Sequence, residues 1–221
     1  MDRLIEAVEY GNRRSWPLPP PDVGALAVSP GERENASIGP RCIVSDYLYA
    51  DVALLSAQGG LGKTTIALYE IVHIILGRDL WGLPVENPGT VAIITAEDPR
   101  DILIARLECV MSALGLSDED KAIVGAGLLI FDVSNDMSFA DAEPVMILID
   151  PIVSFMPNNA NVNDGEQAMV LAARRISRAL NCCVRYITHV SQAVAREGTM
   201  DQYASRGGTA LPDGSRMVAT M

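Results

Sequence analysis

An apolar run, a glycine-rich loop and an apolar helical stretch follow one another between residues 52 and 76, and this constrains the fold more than any other feature. Val52-Ala53-Leu54-Leu55-Ser56-Ala57 reads as a strand buried on both faces, because its apolar residues run almost consecutively. Ala57-Gln58-Gly59-Gly60-Leu61-Gly62-Lys63-Thr64 then interrupts it. Glycines in such a loop let successive backbone N–H groups converge on an anion, and the helix that follows adds the positive end of its dipole. Residues 63 to 76 supply that helix, with Gly77 as its stop. In a loop of this kind Lys63 would reach the β and γ phosphates of a nucleotide, and the Thr64 hydroxyl would be a Mg²⁺ ligand. The motif usually opens on Gly, whereas Ala57 stands there and requires an unstrained backbone. The candidate ATP-binding residues are thus Gly59, Gly60, Leu61, Gly62, Lys63, Thr64 and Thr65.

Beyond the loop, short apolar runs alternate with helical stretches, the order expected of successive βαβ units. Strands are read near 90–96, 127–133, 145–150 and 184–189. One further helix begins at Asp98, with Pro99 in its first turn, and ends at Gly115; another runs from about Gly165 to Leu180. In the latter, Met169, Ala172, Ala173, Ile176 and Leu180 form the apolar stripe, leaving Arg174, Arg175 and Arg178 on a solvated face. The expected fold is α/β, a P-loop NTPase with a mostly parallel twisted sheet flanked by helices. Upstream, Leu4, Ile5 and Val8 share one face of a helix over 1–10, and Ser15 to Pro40 reads as a proline-rich linker. The division expected is therefore 1–40 for helix and linker and 41–221 for the ATPase domain. Residues 216–221 read as the opening of another strand, so the sheet is expected to be incomplete at its C-terminal end.

The chain has 221 residues, 49% of them hydrophobic and 20% charged, which suits a packed core and excludes a disordered chain. With 17 Lys and Arg against 28 Asp and Glu the net charge is −11. The surface as a whole therefore repels phosphate backbones, and any nucleic-acid contact has to be local. Cys42, Cys109, Cys182 and Cys183 form no C-x-x-C pair, and the adjacent two are poorly placed for bridging, which fits a reducing cytoplasm. No stretch has the order of a signal peptide or the length of a membrane span, so a cytoplasmic protein with no membrane partner is expected.

Hydrolysis at a P-loop also needs acids. The apolar strand 145–149 ends in Asp150, at the side of a parallel sheet where ligands bind; Asp150 is read as the metal-linked acid, with a turn residue before Pro151 as the alternative. Pro151 stands where many such enzymes place their catalytic Glu, so the base has to come from another strand. Glu97, at the end of strand 90–96, is the choice, with Asp98 better explained as a helix cap. His189 ends strand 184–189 and is either a group that senses the γ-phosphate or a satisfied histidine at a strand end. His73, inside an apolar helix, reads as packing.

Taken in order, the Gly-rich loop, Leu80-Trp81-Gly82-Leu83-Pro84-Val85, Ala96-Glu97-Asp98-Pro99, Leu148-Ile149-Asp150, Thr188-His189 and Ser205-Arg206-Gly207-Gly208-Thr209-Ala210-Leu211-Pro212-Asp213-Gly214-Ser215-Arg216 resemble the RepA-like branch of hexameric replicative helicases, within the RecA-like ATPases. The resemblance covers roughly residues 41 to 221. It implies a RecA-like core that assembles into a homo-oligomeric, six-membered ring, hydrolyses ATP with Mg²⁺ at subunit interfaces, and moves along single-stranded DNA in plasmid or phage replication. It also implies Lys63 and Thr64 at the nucleotide, Glu97 as base, Asp150 behind the metal, His189 as sensor and Arg106 near the nucleotide. A trans-acting arginine finger is implied too, Arg216 first and Arg206 second.

The loops Pro157 to Gly165 and Ser191 to Gly207 would face the DNA; the first has no basic residue, leaving Arg196 and Arg206 as the phosphate contacts. The competing reading is a RecA-like ATPase that acts as a nucleotide-dependent switch, or in repair or recombination, without unwinding. A small-molecule kinase is disfavoured because no basic lid segment follows Asp150.

Overall fold

The computed structural model describes residues 27–132, 143–156, 161–190 and 209–221. The chain divides into two compact units, Met1–Ile38 and Gly39–Met221. In the first, helix α1 (Pro30–Glu34) occupies part of the stretch read above as irregular. Its signal is a capping box with Pro at the first helical position: Glu32 N–H donates to Ser29 Oγ at 3.2 Å, and Ser29 N–H donates to Glu32 Oε2 at 2.7 Å. The expected helix over 1–10 lies outside the described residues.

The second unit opens with an antiparallel hairpin of β1 (Cys42–Val44) and β2 (Leu48–Tyr49). Then come β3 (Val52–Ala57), α2 (Lys63–Leu76), β4 (Val91–Thr95), α3 (Arg100–Ala113), α4 (Asp118–Gly127), β5 (Leu128–Asp132) and β6 (Met146–Asp150). A 3₁₀ turn (Ile152–Phe155), α5 (Val162–Leu180), β7 (Cys183–His189), α6 (Ala210–Gly214) and β8 (Met217–Thr220) complete the described elements. Six strands form one sheet in the order β5-β4-β6-β7-β3-β8, and every pairing between neighbours is parallel. Strand β7 therefore separates β3 from β6. The register sets Ala57 opposite His189 and Thr95 opposite Asp150, so the C-terminal ends of β3, β7, β6 and β4 finish along one edge.

Alternation divides these strands between two cores. Ala53, Leu55, Ile93, Leu148 and Ile187 face the cluster beneath α2, α3 and α4; Val52, Leu54, Ile147, Val184 and Tyr186 face the cluster beneath α5. Burial on both faces is what the consecutive apolar runs encode. Helix α2 is tucked deeply into its side, with Leu68, Ile71 and Ile74 fully buried, each contributing about 1.5–3 kcal/mol.

Several expectations need correction. Helix α3 starts at Arg100 with Pro99 as its N-cap, so Asp98 caps nothing. Helix α4 was not foreseen, although Ser117 accepts from Asp120 N–H and three acids fill its first turn. Helix α5 starts at Val162, so part of the loop read as Pro157–Gly165 is helical. Its buried face is Gly165, Glu166, Val170, Ala173 and Ser177, and Ala172 is exposed; Arg174, Arg175 and Arg178 are exposed as expected. The Leu80–Val85 motif contains a two-residue turn with positive φ at both Trp81 and Gly82, closed by reciprocal bonds between Leu80 and Leu83 at 2.8 Å. No described helix is long and apolar enough to cross a membrane. The four cysteines are unbridged, and burial pushes the Cys182 thiol up to about 11 and that of Cys183 up to about 12.

Candidate nucleotide site

The site begins where β3 ends. Gly60 and Gly62 take φ of +82° and +80°, the left-handed conformation that a side chain resists, and this bends the chain back over the sheet edge into α2. Lys63 and Thr64 are thereby fixed in the first turn of the helix. The Lys63 ammonium donates to the carbonyls of Ala57 and Gln58, both at 3.2 Å, and to His189 Nδ1 at 3.1 Å. Its three protons are all used, and as an acceptor Nδ1 carries none, so the neutral ring holds its proton on Nε2. Burial pushes the Lys63 pKa below the usual lysine value, while Asp150 and Glu97 oppose that shift.

Thr64 Oγ1 donates to Asp150 Oδ2 at 2.9 Å, reaching across β7 to the end of β6. Burial raises the Asp150 pKa, and the negative charges of Glu97 and Asp98 add to the rise, against the Thr64 bond and Lys63. Glu97 is exposed at the rim and enters no ion pair among the described residues. Asp98 instead pairs with Arg106 of α3, and its N–H donates to Thr95 Oγ1 at 3.3 Å. That tertiary pairing is why Asp98 does not serve as a cap.

A cleft of about 230 Å³ is lined by Gly60, Gly62, Lys63, Thr64, Glu97, Asp98, Arg106, Asp150 and His189. Eight sequence-selected candidates, Arg106 among them, thus meet in one place, joined by Asp98. Gly59 lies against His189, with room for a Cβ at 3.8 Å from Nδ1. Leu61 and Thr65 are exposed on the loop and the first helical turn. Arg216 stands at the other end of β3, where its backbone N–H donates to Val52 O at 2.9 Å and its Nε donates to Asp51 Oδ2 at 2.5 Å. Arg206, Arg196 and the Ser191–Gly207 loop lie outside the described residues, as do residues 157–160. A larger cleft, about 550 Å³ beside β8, contains none of the phosphate-loop residues. His73 packs on Tyr69 at 4.4 Å and donates from Nδ1 to Asp79 O at 2.7 Å, in keeping with a packing role.

The donors suit a hard divalent cation. Thr64 donates its proton to Asp150 and so keeps its oxygen lone pairs for a metal, and the crowded acids, with Asp150 raised, are relieved by a positive ion. Among the described residues no cluster of three or more His, Cys, Asp and Glu side chains is placed to hold a metal.

Two residues of the site's surroundings gave no reading from sequence. Glu70 of α2 and Arg185 of β7 form an ion pair that is almost wholly buried. The available signal was one charge in each of two apolar stretches, Ala67–Leu76 and Cys182–His189.

The fold compares with known RecA-like ATPase domains. The ATPase domain of G40P superposes with a TM-score of 0.53 at 14% identity, covering 92% of this chain and 84% of that one. A KaiC-like protein from the hyperthermophilic archaeon Pyrococcus horikoshii OT3 gives a TM-score of 0.54 at 18% identity, covering 80% and 74%. Both likenesses concern the fold. The AAA domain family pattern matches residues 20–194, which span the phosphate loop, Glu97, Asp150 and His189, and the chain belongs to the AAA domain family, with a RecA-like fold.

Proposed function

We propose that the chain is an ATP-hydrolysing, ring-forming helicase or translocase that acts on single-stranded DNA, of the RepA-like type. The hydrolytic part rests above all on one observation: Lys63, Thr64, Glu97, Asp150 and His189, drawn from four neighbouring strand ends, line a single cleft. A triphosphate in the loop would exchange the Lys63 bonds to Ala57 and Gln58 for its β and γ oxygens. Thr64 and Asp150 would hold Mg²⁺, which supplies charge neutralisation on the phosphates. Glu97 would orient and deprotonate the attacking water, and His189, already bonded to Lys63, would register loss of the γ-phosphate.

The DNA-directed part rests on the motif order from the Gly-rich loop to Arg216. Arg216, roughly 20 Å from the phosphate loop along β3, would act only on a neighbouring copy's nucleotide. A second reading, a nucleotide-dependent switch without unwinding, is favoured by the net charge of −11 and by the lack of any basic residue in 157–165.

ATP turnover measured with and without single-stranded DNA at two salt concentrations separates them. The helicase reading expects stimulation that fades at high salt; turnover indifferent to DNA supports the switch. Mixing Lys63→Ala with Arg216→Ala protein restores turnover if the finger acts in trans, and restores none if Arg216 serves only its own chain.

A further inference from the structure

Helix α2 touches β7 through polar groups at two levels. At the cleft Lys63 meets His189; deeper in, Glu70 meets Arg185. Lys63 and Glu70 are seven residues apart and so lie on one face of the helix, two turns or about 10.5 Å along its axis. Arg185 and His189 share one face of β7, about 13 Å apart along the strand. The first residue of α2 thus pairs with the last of β7, so helix and strand run antiparallel and are keyed at both levels.

The charges of the deeper key are buried, with the half-buried Tyr47 between them and the cleft beside β8. Arg185 is 1% exposed and Glu70 1%. Arg185 Nη1 donates to Glu70 Oε2, Arg185 Nη2 donates to Tyr47 Oη at 2.7 Å, and Tyr47 Oη donates to Glu70 Oε1 at 2.6 Å. The Arg185 guanidinium also lies over the Tyr47 ring, 5.3 Å from its centroid. Burial opposes the charge on Arg185, but Glu70 and Tyr47 outweigh it and raise its pKa. Burial also pushes the Tyr47 hydroxyl up to about 12, which keeps its proton on the bond to Glu70.

This network is a poor source of stability. Arg185 Nε is buried without a partner, and buried ion pairs often lose to apolar replacements of similar volume. What it supplies is direction. Ala67, Leu68, Ile71, Val72 and Ile74 of α2 make apolar contacts that do not by themselves fix how far the helix slides or rotates, whereas a guanidinium held by two oxygens does.

We propose that Glu70 and Arg185, bridged by Tyr47, are positioning residues for the nucleotide site: they set the register of α2 along β7 and so hold Lys63 against His189. The proposal rests on the reading of the cleft as an ATP-hydrolysing site. Because Lys63 and Thr64 open the same helix, a shift of α2 moves the phosphate grip against the acids on β4 and β6 while leaving the loop able to bind.

The test is the double variant Glu70→Leu/Arg185→Met, which removes both charges together. Melting temperature, ATP affinity and turnover are measured beside those of the parent. The expected result is a melting temperature at or above the parent's, KM for ATP within about threefold, and kcat lower by about 10- to 100-fold. Parental kcat in a folded double variant would overturn the proposal alone. A parent that binds ATP but never hydrolyses it would overturn the site reading, and the proposal with it. Should the double variant not fold, Tyr47→Phe decides: it keeps the ion pair and removes only the bridging hydroxyl. A kcat about threefold to tenfold lower at unchanged KM upholds the proposal, and parental kcat overturns it.

Discussion

The two levels at which α2 meets β7 differ mainly in their access to water. At the cleft, Lys63 is bonded to two backbone carbonyls and a half-buried histidine, partners it can leave for a phosphate. Two turns in, Arg185 and Glu70 are sealed from solvent and each depends on the other. The same pair of elements thus carries an exchangeable contact at one end and a fixed one at the other. A charge beside a cleft can change partners without unfolding anything, whereas a charge in the core cannot, because an unpaired ion there is expensive.

The largest expected effect breaks the fixed end. Arg185→Met alone leaves the Glu70 carboxylate buried without its cation and should cost about 3–5 kcal/mol, read as a lower midpoint in urea unfolding. A loss under about 1 kcal/mol would mean that the core tolerates the lone acid and that the contrast is false. Next is the exchangeable end. Lys63→Ala should lower ATP turnover by about 10²- to 10³-fold while leaving the melting temperature close to the parent's, since it removes a charge that burial already disfavours. A large fall in stability would show that Lys63, too, is structural.

A smaller effect concerns protons. Asp150 sits above the ordinary carboxylate pKa, owing first to burial and then to Glu97 and Asp98, and the metal takes only its ionised form. As pH falls, protons therefore displace the metal earlier than they would at an exposed Asp. The Mg²⁺ concentration needed for half-maximal turnover should climb as pH falls from neutral toward the ordinary carboxylate value, and in Asp150→Asn that climb should flatten. Identical climbs in both proteins would remove Asp150 from the metal's surroundings.

How much of this was readable in the sequence follows the range of each signal. Helix α2 was bounded at both ends because Lys63 follows a Gly-rich turn and Gly77 takes a left-handed φ, both local effects. The five strands were found because consecutive apolar residues record burial on both faces. Asp98 was misread because a helix cap and an ion pair look alike until the position of Arg106 is known. Ala172 was assigned to the wrong face since small residues mark an amphipathic stripe weakly. The acids of the cleft were legible from their places at strand ends, because parallel strands deliver those ends to one edge. The pairing of Glu70 with Arg185 was not, since the two lie 115 residues apart and only the insertion of β7 between β3 and β6 brings them together.

The central claim is that Glu97 activates water beside a phosphate held by the loop. Glu97→Gln, assayed for ATP affinity and for single-turnover hydrolysis, tests it most directly. The account predicts parental affinity with hydrolysis slowed by about 10²- to 10⁴-fold. Hydrolysis at the parental rate, or affinity lost together with hydrolysis, would contradict it.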